Sequence, residues 1–485
     1  MKPSILFLLL ATLLSAGSAY SEDRPNVLFI LADDLGLLDT ELGPEPSFNE
    51  SPNLLRLANR GAAFQNGYVA HPRCVPSRYA IQTGRFPCRD AFHAGPSDKA
   101  MAKQKTIGEA FQAGGYATFF AGKWHLGKDE KNWPHHRGYD VNVGGCHAGA
   151  PGSYFFPFGA EKGGGDHGGA IYGLETGTEG EHLTERLTLE TSRWIREHVA
   201  QEESKPFFAF LSHYAVHTPI EGKPAEIETF EEKRRSLGLT SEYRDADGTT
   251  RITRCDPAYA SMVKTLDESV GAMLDLLEEL SISEKTIIVF TSDHGGLSNR
   301  SSASQRELPT SNLPYRAGKG HLYEGGLRVP FVIAWPETIP AGLPRDLAIT
   351  TDLFPTLLDL AGLELLPKAH WDGITLAPFL LRGEQPERKR LVWHSPLPRP
   401  TQTGDEAASA IREGRFKLVK KYFPLSLELY DLEKDPHEEV NLAAQKPELA
   451  TRLQERLESI LIRQGSMPPR KDWKDKSVTA PLAEE

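Results

Sequence analysis

Asn26-Val27-Leu28-Phe29-Ile30-Leu31-Ala32 carries an apolar run of strand length, and Asp33-Asp34-Leu35-Gly36 follows it directly. A strand whose alternating side chains are apolar in both directions is buried on both faces, as in a parallel sheet covered by helices. Two adjacent carboxylates then stand at the carboxyl end of that strand, where open α/β sheets bind their ligands. They repel one another unless a cation neutralises them, so the pair reads either as a solvated turn or as ligands to a metal.

Three more apolar runs end in polar clusters. Residues 286–291 (TIIVFT) lead into Ser292-Asp293-His294-Gly295-Gly296, a second strand tip with metal-type ligands. Residues 206–212 (PFFAFLS) lead into His213-Tyr214-Ala215-Val216-His217-Thr218-Pro219, and 116–121 (YATFFA) into Gly122-Lys123-Trp124-His125-Leu126-Gly127. In an extended segment Lys123 and His125 would project to one side. Lys319, between Gly318 and Gly320, is either an exposed turn lysine or a cation on backbone that can approach an anion.

Helices are predicted between these strands. Ser51-Pro52 reads as an N-cap and N1 proline for a short leucine-packed helix ending at Gly61. Thr106-Ile107-Gly108-Glu109 is a capping box. Residues 181–200 are amphipathic, with Leu183, Leu187, Trp194 and Ile195 on one stripe, and 256–280 form a long helix whose Met262 and Met273 belong to the core. A helix over 351–362 has Asp352 as its simplest cap. The glycine-rich stretch 144–180 reads as a binding loop or lid, with His147, Tyr154 and His167 as weak site candidates.

One further stretch, Cys74-Val75-Pro76-Ser77-Arg78, precedes an apolar and polar run that ends at Gly84. Pro76 and the run after it read as the first turns of a helix, which places residue 74 at its N-terminus, where free N–H groups and the dipole bind oxyanions. A thiolate there would be reactive. Arg78 lies about one turn further on.

The pattern C-x-P-S-R, four residues, then T-G-R over residues 74–85 closely resembles the maturation signature of the type I, formylglycine-dependent sulfatases of the alkaline phosphatase superfamily. Gly122 to Gly127 is similar to the family's lysine and histidine motif, His217-Thr218-Pro219 to its later histidine motif, and 318–330 to its G-K-G-x-x-x-E-G-G-x-R-V-P stretch. The resemblance implies an alkaline-phosphatase-like α/β domain with a mixed central sheet flanked by helices, plus a smaller C-terminal antiparallel sheet with a helix. It also implies that Cys74 is oxidised to Cα-formylglycine by a maturing enzyme. Asp33, Asp34, Asp293, His294 and residue 74 would then hold one divalent ion, calcium, with magnesium or manganese as alternatives. His294 stands where many sulfatases have asparagine, which opens the metal's identity, since imidazole suits zinc or manganese better than calcium.

The implied reaction is hydrolysis of a sulfate monoester. The formylglycine hydrate attacks sulfur, Lys123 and Lys319 hold the sulfate oxygens, Arg78 bonds to residue 74, His217 protonates the leaving alcohol, and His125 takes the proton that lets sulfate leave. The bound cation, Lys123, Lys319 and Arg78 together outweigh three carboxylates and make a locally positive pocket. The expected substrate is a sulfated carbohydrate. A phosphonate monoester or phosphodiester hydrolase of the same superfamily, or a non-catalytic binder of sulfated glycans with unmodified Cys74, are the alternatives.

Composition sets the frame. The chain has 485 residues, 39% of them hydrophobic, and a formal charge of −11, which argues against a nucleic-acid binder. Lys2, an apolar run over 5–14 and small residues over 15–19 read as a secretory signal peptide, residues 1–21, so a periplasmic or extracellular location without membrane insertion is expected. With Cys74 modified, Cys88, Cys146 and Cys255 would allow one disulfide. The expected organisation is a catalytic domain over 22–365, an α+β subdomain over 366–465 built on strands near 391–394, 408–419 and 427–432 with a helix over 441–462, and a loose tail over 466–485.

Overall fold

In the computed structural model the side chains of β1 (Asn26–Ala32) divide between two apolar layers. Val27, Phe29 and Leu31 join one with Ile107, Phe111 and Leu357, while Leu28, Ile30 and Ala32 join the other with Leu187, Met262 and Met273. Alternation along a pleated strand produces this split. Each large apolar side chain so buried contributes roughly 1.5–3 kcal/mol.

The remaining strands are β2 (Gly61–Ala63), β3 (Asn66–Tyr68), β4 (Ala117–Gly122), β5 (Val141–Val143), β6 (Phe207–Ser212), β7 (Thr286–Ser292) and β8 (Phe331–Ala334). They are followed by β9 (Leu347–Ile349), β10 (Arg390–Ser395), β11 (Ala408–Glu413), β12 (Phe416–Tyr422) and β13 (Leu425–Asp431). The central sheet runs β2-β8-β7-β1-β6-β4-β5. Only β8 runs against its neighbours; β7, β1, β6 and β4 are mutually parallel. Their carboxyl ends therefore share one edge, the expected mixed α/β arrangement. Phe29 stacks on Phe210 across the β1–β6 pair with ring centroids 4.3 Å apart.

The structure describes residues 24–90, 98–159, 171–202, 204–244, 249–386 and 388–471. The expected signal peptide, His167 and most of the expected loose tail lie outside them. No helix among the described residues is long and apolar enough to cross a membrane.

The helices Ile107–Ala113, Leu183–Val199 and Pro257–Glu279 form as expected. The Thr106 capping box closes with Glu109 N donating to Thr106 Oγ1 at 3.1 Å and Thr106 N to Glu109 Oε2 at 2.7 Å. Other local expectations need correction. Ser51 makes no side-chain cap; its Oγ accepts from Glu41 N at 2.8 Å, and Pro52–Ala58 ends at Asn59 while Gly61 starts β2. Asp352 does not cap the helix Leu353–Leu360 with its side chain but pairs with Arg388 and accepts from Ile349 N and Ile374 N. All four cysteines, Cys74, Cys88, Cys146 and Cys255, are buried and free, so no disulfide forms.

The second, four-stranded sheet runs β10-β11-β12-β13, antiparallel throughout. The helix Pro447–Arg463 covers one face, Leu453, Leu457 and Leu461 meeting Ile411, Leu418 and Leu429. On the other face Trp393, Ala410 and Val419 pack on Tyr68, Val69 and Ala80, and Trp393 Nε1 donates to Val69 O at 2.8 Å. Because Ala80 lies in the helix Cys74–Thr83, this small sheet bears directly on that helix.

Candidate active site

The four parallel strand ends deliver four polar clusters to one place. At the tip of β1, Asp33 exchanges backbone bonds with the β6 loop, Asp33 N to Ala215 O at 2.9 Å and Val216 N to Asp33 O at 2.7 Å. Asp34 turns into the left-handed region at φ 61° and its N–H donates to Asp293 Oδ1, 3.2 Å away at the tip of β7. Aspartate is one of the few residues that tolerates that conformation. The chain leaving β4 is not the extended segment its sequence suggests. Gly122 has φ 96° and lies so close to β6 that a Cβ would sit 1.9 Å from Ser212 O, and His125 has φ 60°. Lys123 consequently turns to Asp33 while His125 turns to the sulfur of Cys74.

The helix Cys74–Thr83 brings the remaining elements together. Cys74 is its first residue, after Arg73 as N-cap, and Gly84 ends it in the left-handed conformation at φ 62°. Arg78, one turn in, makes several charged or polar contacts. Its Nε donates to Asp293 Oδ2 at 2.9 Å, and its Nη1 to Lys123 O at 2.7 Å and to Ser212 Oγ at 2.8 Å. The guanidinium thus ties three strand loops to the cysteine's helix, while its Nη2 lies 3.6 Å from Asp33 Oδ2 and has no hydrogen-bond partner among the described residues. Lys319 Nζ reaches Asp34 Oδ1 at 2.7 Å and Oδ2 at 2.8 Å. Cys74 Sγ lies 3.2 Å from His294 Nε2. Asp33, Asp34, Cys74, Arg78, Lys123, His125, His217, Asp293, His294 and Lys319 are therefore brought to one cluster.

Its electrostatics favour anions on the cysteine and a cation among the carboxylates. Burial opposes ionisation of the Cys74 thiol, but Lys123, Lys319 and His294 outweigh it and hold the thiol well below its ordinary value. Burial and the facing Asp293 push Asp33 well up, against Lys123. Burial also opposes the charge on Asp34, yet Lys319, His217 and His294 hold it low. Burial lowers both His125 and His217 to about 4. For His294 burial is outweighed by Asp293, Cys74 and Asp34, which push it up to about 9.

The residues present fit a divalent cation. Ligand atoms of Asp33, Cys74, Asp293 and His294 lie within 4.8 Å of one another, as do those of Asp33, Asp34, Cys74 and His217. Asp33 Oδ1 is buried with no hydrogen-bond partner among the described residues. His294 Nδ1 lies 3.1 Å from Gly295 O and Nε2 3.1 Å from Asp34 Oδ1, so the protonated ring donates at both ends, and a cation among these carboxylates would take the place of the Nε2 proton. A cation bound by this set would remove the mutual repulsion that raises Asp33.

Several participants carry no motif. Ser212 links Arg78 to Lys123, and Ser292 Oγ donates to His294 O at 2.9 Å while accepting from Leu35 N at 3.1 Å. Their only signal is their position at the end of a buried strand. Arg306, Arg399 and Gln402 reach the cleft from irregular segments that show no periodicity. Of the loop candidates, His147 lines the cleft, but Tyr154 is fully buried and donates to Tyr214 O at 2.7 Å and His217 O at 2.9 Å, a support beneath the site.

An α/β sheet whose carboxyl edge sets a helix-start cysteine among lysines, histidines and cation-ready carboxylates defines a hydrolase of anionic esters. Residues 25–363 match the Sulfatase family, and 317–464 match N-sulphoglucosamine sulphohydrolase, C-terminal. The chain belongs to the sulfatase family and is a type I sulfatase of the alkaline phosphatase superfamily, a sulfuric ester hydrolase. It is 32% identical to N-acetylgalactosamine-6-sulfatase of Sus scrofa over 401 residues, 79% of this chain and 70% of the relative. It is 31% identical to arylsulfatase A of Homo sapiens over 472 residues, 88% of this chain and 85% of that protein. The structure of Ps i-CgsB in complex with k-i-k-neocarrahexaose superposes with a TM-score of 0.71 at 27% identity, covering 90% of this chain and 92% of that one. These relatives favour an enzyme acting on ester sulfate over a phosphonate hydrolase and over a non-catalytic binder.

Proposed function

We propose that the chain is a secreted sulfatase that removes a sulfate monoester from a sulfated carbohydrate, using Cys74 after its oxidation to Cα-formylglycine. One observation carries the reading: Cys74 opens a helix at the sheet edge with His125, His217 and His294 turned toward it and two lysines close enough to depress its thiol. The N-acetylgalactosamine-6-sulfatase relative and the Ps i-CgsB complex with k-i-k-neocarrahexaose support a glycan as the substrate.

Asp33, Asp34, Asp293 and His294 would hold the cation, calcium or one of its alternatives, whose chemistry is to polarise the oxygen borne by residue 74. Hydrated formylglycine supplies two hydroxyls on one carbon, one to attack sulfur and one to release sulfate as the aldehyde returns. Lys123 and Lys319 bind the sulfate oxygens and neutralise charge as it shifts toward the leaving oxygen. His217 is anchored through Nδ1, 2.8 Å from Thr218 O, so the proton it gives the leaving alkoxide sits on Nε2. Burial holds the resting ring neutral, so Nε2 takes up the proton released by the attacking hydroxyl and, as a strongly acidic imidazolium, passes it to that alkoxide. His125, also held neutral by burial, takes the proton from the second hydroxyl. Arg78 keeps Asp293, Lys123 and Ser212 in register with the helix.

The division into a catalytic part over 22–365, a C-terminal subdomain over 366–465 and a tail over 466–485 is part of the same proposal. So are removal of residues 1–21 and delivery to the periplasm or exterior, with a formylglycine-generating enzyme as the obligatory partner. The test is sulfate release from a panel of sulfated mono- and oligosaccharides by protein co-expressed with such an enzyme. Release from at least one saccharide, faster than hydrolysis of 4-nitrophenyl phosphonate, is expected. Preference for the phosphonate would overturn the assignment.

A further inference from the structure

The cleft above Cys74 has a volume of about 770 Å³, and its wall holds four cations, Lys128, Arg306, Lys319 and Arg399, with no carboxylate among the described residues that line it. The whole chain carries a formal charge of −11, so this one-signed wall is a local construction. A single sulfate does not require it. Lys319 already faces Asp34 at the floor of the site, and Lys123 lies beneath with Asp33. Arg306, Arg399 and Lys128 are additional to those groups.

The two arginines have no ion-pair partner among the described residues. Arg306 Nη2 donates to Thr218 Oγ1 at 3.3 Å, beside His217, and Arg399 Nη1 reaches Gln402 Oε1 at 3.5 Å. The acid whose charge acts on Arg399, Asp405, is committed elsewhere. It pairs with Arg73, takes the Thr403 hydroxyl, and accepts the backbone N–H of Arg399 at 3.3 Å. The Arg306 guanidinium is thus held at Thr218, next to His217, and the Arg399 backbone is held through Asp405 to Arg73, next to Cys74. Burial, with Arg73 and Arg306 close by, lowers Arg399 to about 10. A neutral sugar is recognised by mixed donors and acceptors, whereas unpaired guanidinium forks fit planar or tetrahedral oxyanions.

Resting on the sulfatase reading above, we propose that Arg306, Arg399 and Lys128 form a second anion subsite, so that the substrate is a glycan bearing another sulfate or a carboxylate close to the sulfate that is removed. Binding energy from this remote anion then orients the scissile ester between the lysines and His217.

The experiment measures binding to the chain with Cys74 unmodified, which separates it from the question of hydrolysis. Sucrose octasulfate, trigalacturonate and inorganic sulfate are titrated calorimetrically against the wild type, Arg306→Gln, Arg399→Gln, and the exposed substitution Lys128→Gln, which leaves the core intact. Arg390→Gln, on an exposed position of β10, is the control. Sucrose octasulfate or trigalacturonate is expected to lose affinity by about tenfold or more in each arginine variant, beyond any loss for inorganic sulfate, and by a smaller factor in Lys128→Gln. Arg399→Lys and Arg306→Lys should recover part of it. Which of the two probes shows the effect separates a sulfate from a carboxylate subsite. Equal losses for inorganic sulfate and the oligoanions, or no binding of either oligoanion, overturns the subsite. Failure of the matured enzyme to release sulfate with this binding pattern intact would instead overturn the sulfatase mechanism alone.

Discussion

His217 illustrates how placement fixes a role. Its Nδ1 is satisfied by Thr218 O, 2.8 Å away, and only Nε2 faces the site, so it serves the leaving oxygen. His217→Gln should reduce kcat roughly 100-fold on a sulfated sugar, whose alkoxide leaves poorly, and far less on 4-nitrophenyl sulfate, whose phenolate needs no proton. Parallel kinetics on the two substrates checks this. Lys123→Ala should cost about 10²–10³ in kcat on both, because it removes charge stabilisation from the transition state itself. His294 is the residue that departs from the family pattern. Dialysis against a chelator should abolish turnover, and His294→Asn should shift the cation that restores it toward calcium, since an amide oxygen replaces an imidazole nitrogen. Unchanged preference in a metal-reconstitution series would count against His294 as a ligand.

The helix Cys74–Thr83 depends on its ends. Gly84 stops it with φ 62°, and a Cβ there would meet His370 Cβ at 2.5 Å. Gly84→Ala should therefore lower the melting temperature by an amount equivalent to about 1–3 kcal/mol, measurable by calorimetry. This stop was legible in sequence, as were β1, β6 and β7, because continuous apolar runs and glycine carry their own conformational signature. The cysteine motif was legible for the same local reason. The backbone after β4 was not. Whether Lys123 and His125 follow strand geometry depends on how closely β4 approaches β6, and only the pairing of Gly122 with Ser212 decides it. Asp352 looked like a cap because a cap is the local use of an aspartate, and its actual partner, Arg388, is 36 residues away. Arg306 and Arg399 lay in stretches without period, where sequence gives position no meaning until the fold closes.

At the scale of the molecule, the four-stranded sheet is joined to the rest of the fold by charge as well as by apolar packing. Lys417 of β12 stands 2.9 Å from both Glu324 and Glu438, all three fully buried, and Tyr68 of β3 donates to Glu324 at 2.6 Å. One lysine faces two carboxylates. Burial opposes both charges, but Lys417 and Arg412 hold Glu324 low, whereas Glu438 is pushed up to about 7, Glu324 reinforcing burial and Lys417 opposing it. The signs are opposite. Glu438 is raised above its ordinary value of 4.5, so its contribution is full below about 4.5 and is lost as pH rises through 7. Glu324 is depressed, so its contribution is full above about 4.5 and is lost in acid. The melting temperature should fall from pH 5 to pH 8, and Glu438→Gln should flatten that slope. An equal slope in both proteins would remove Glu438 as its source.

Residue 74 is proposed to act as an aldehyde hydrate, and the decisive experiment is mass spectrometry of the peptide containing it, taken from active protein. Sulfur and two hydrogens are expected to be exchanged for one oxygen in a fraction of molecules that scales with specific activity, and Cys74→Ala is expected to show neither the exchange nor turnover. Full activity in protein whose residue 74 still carries its thiol would contradict it.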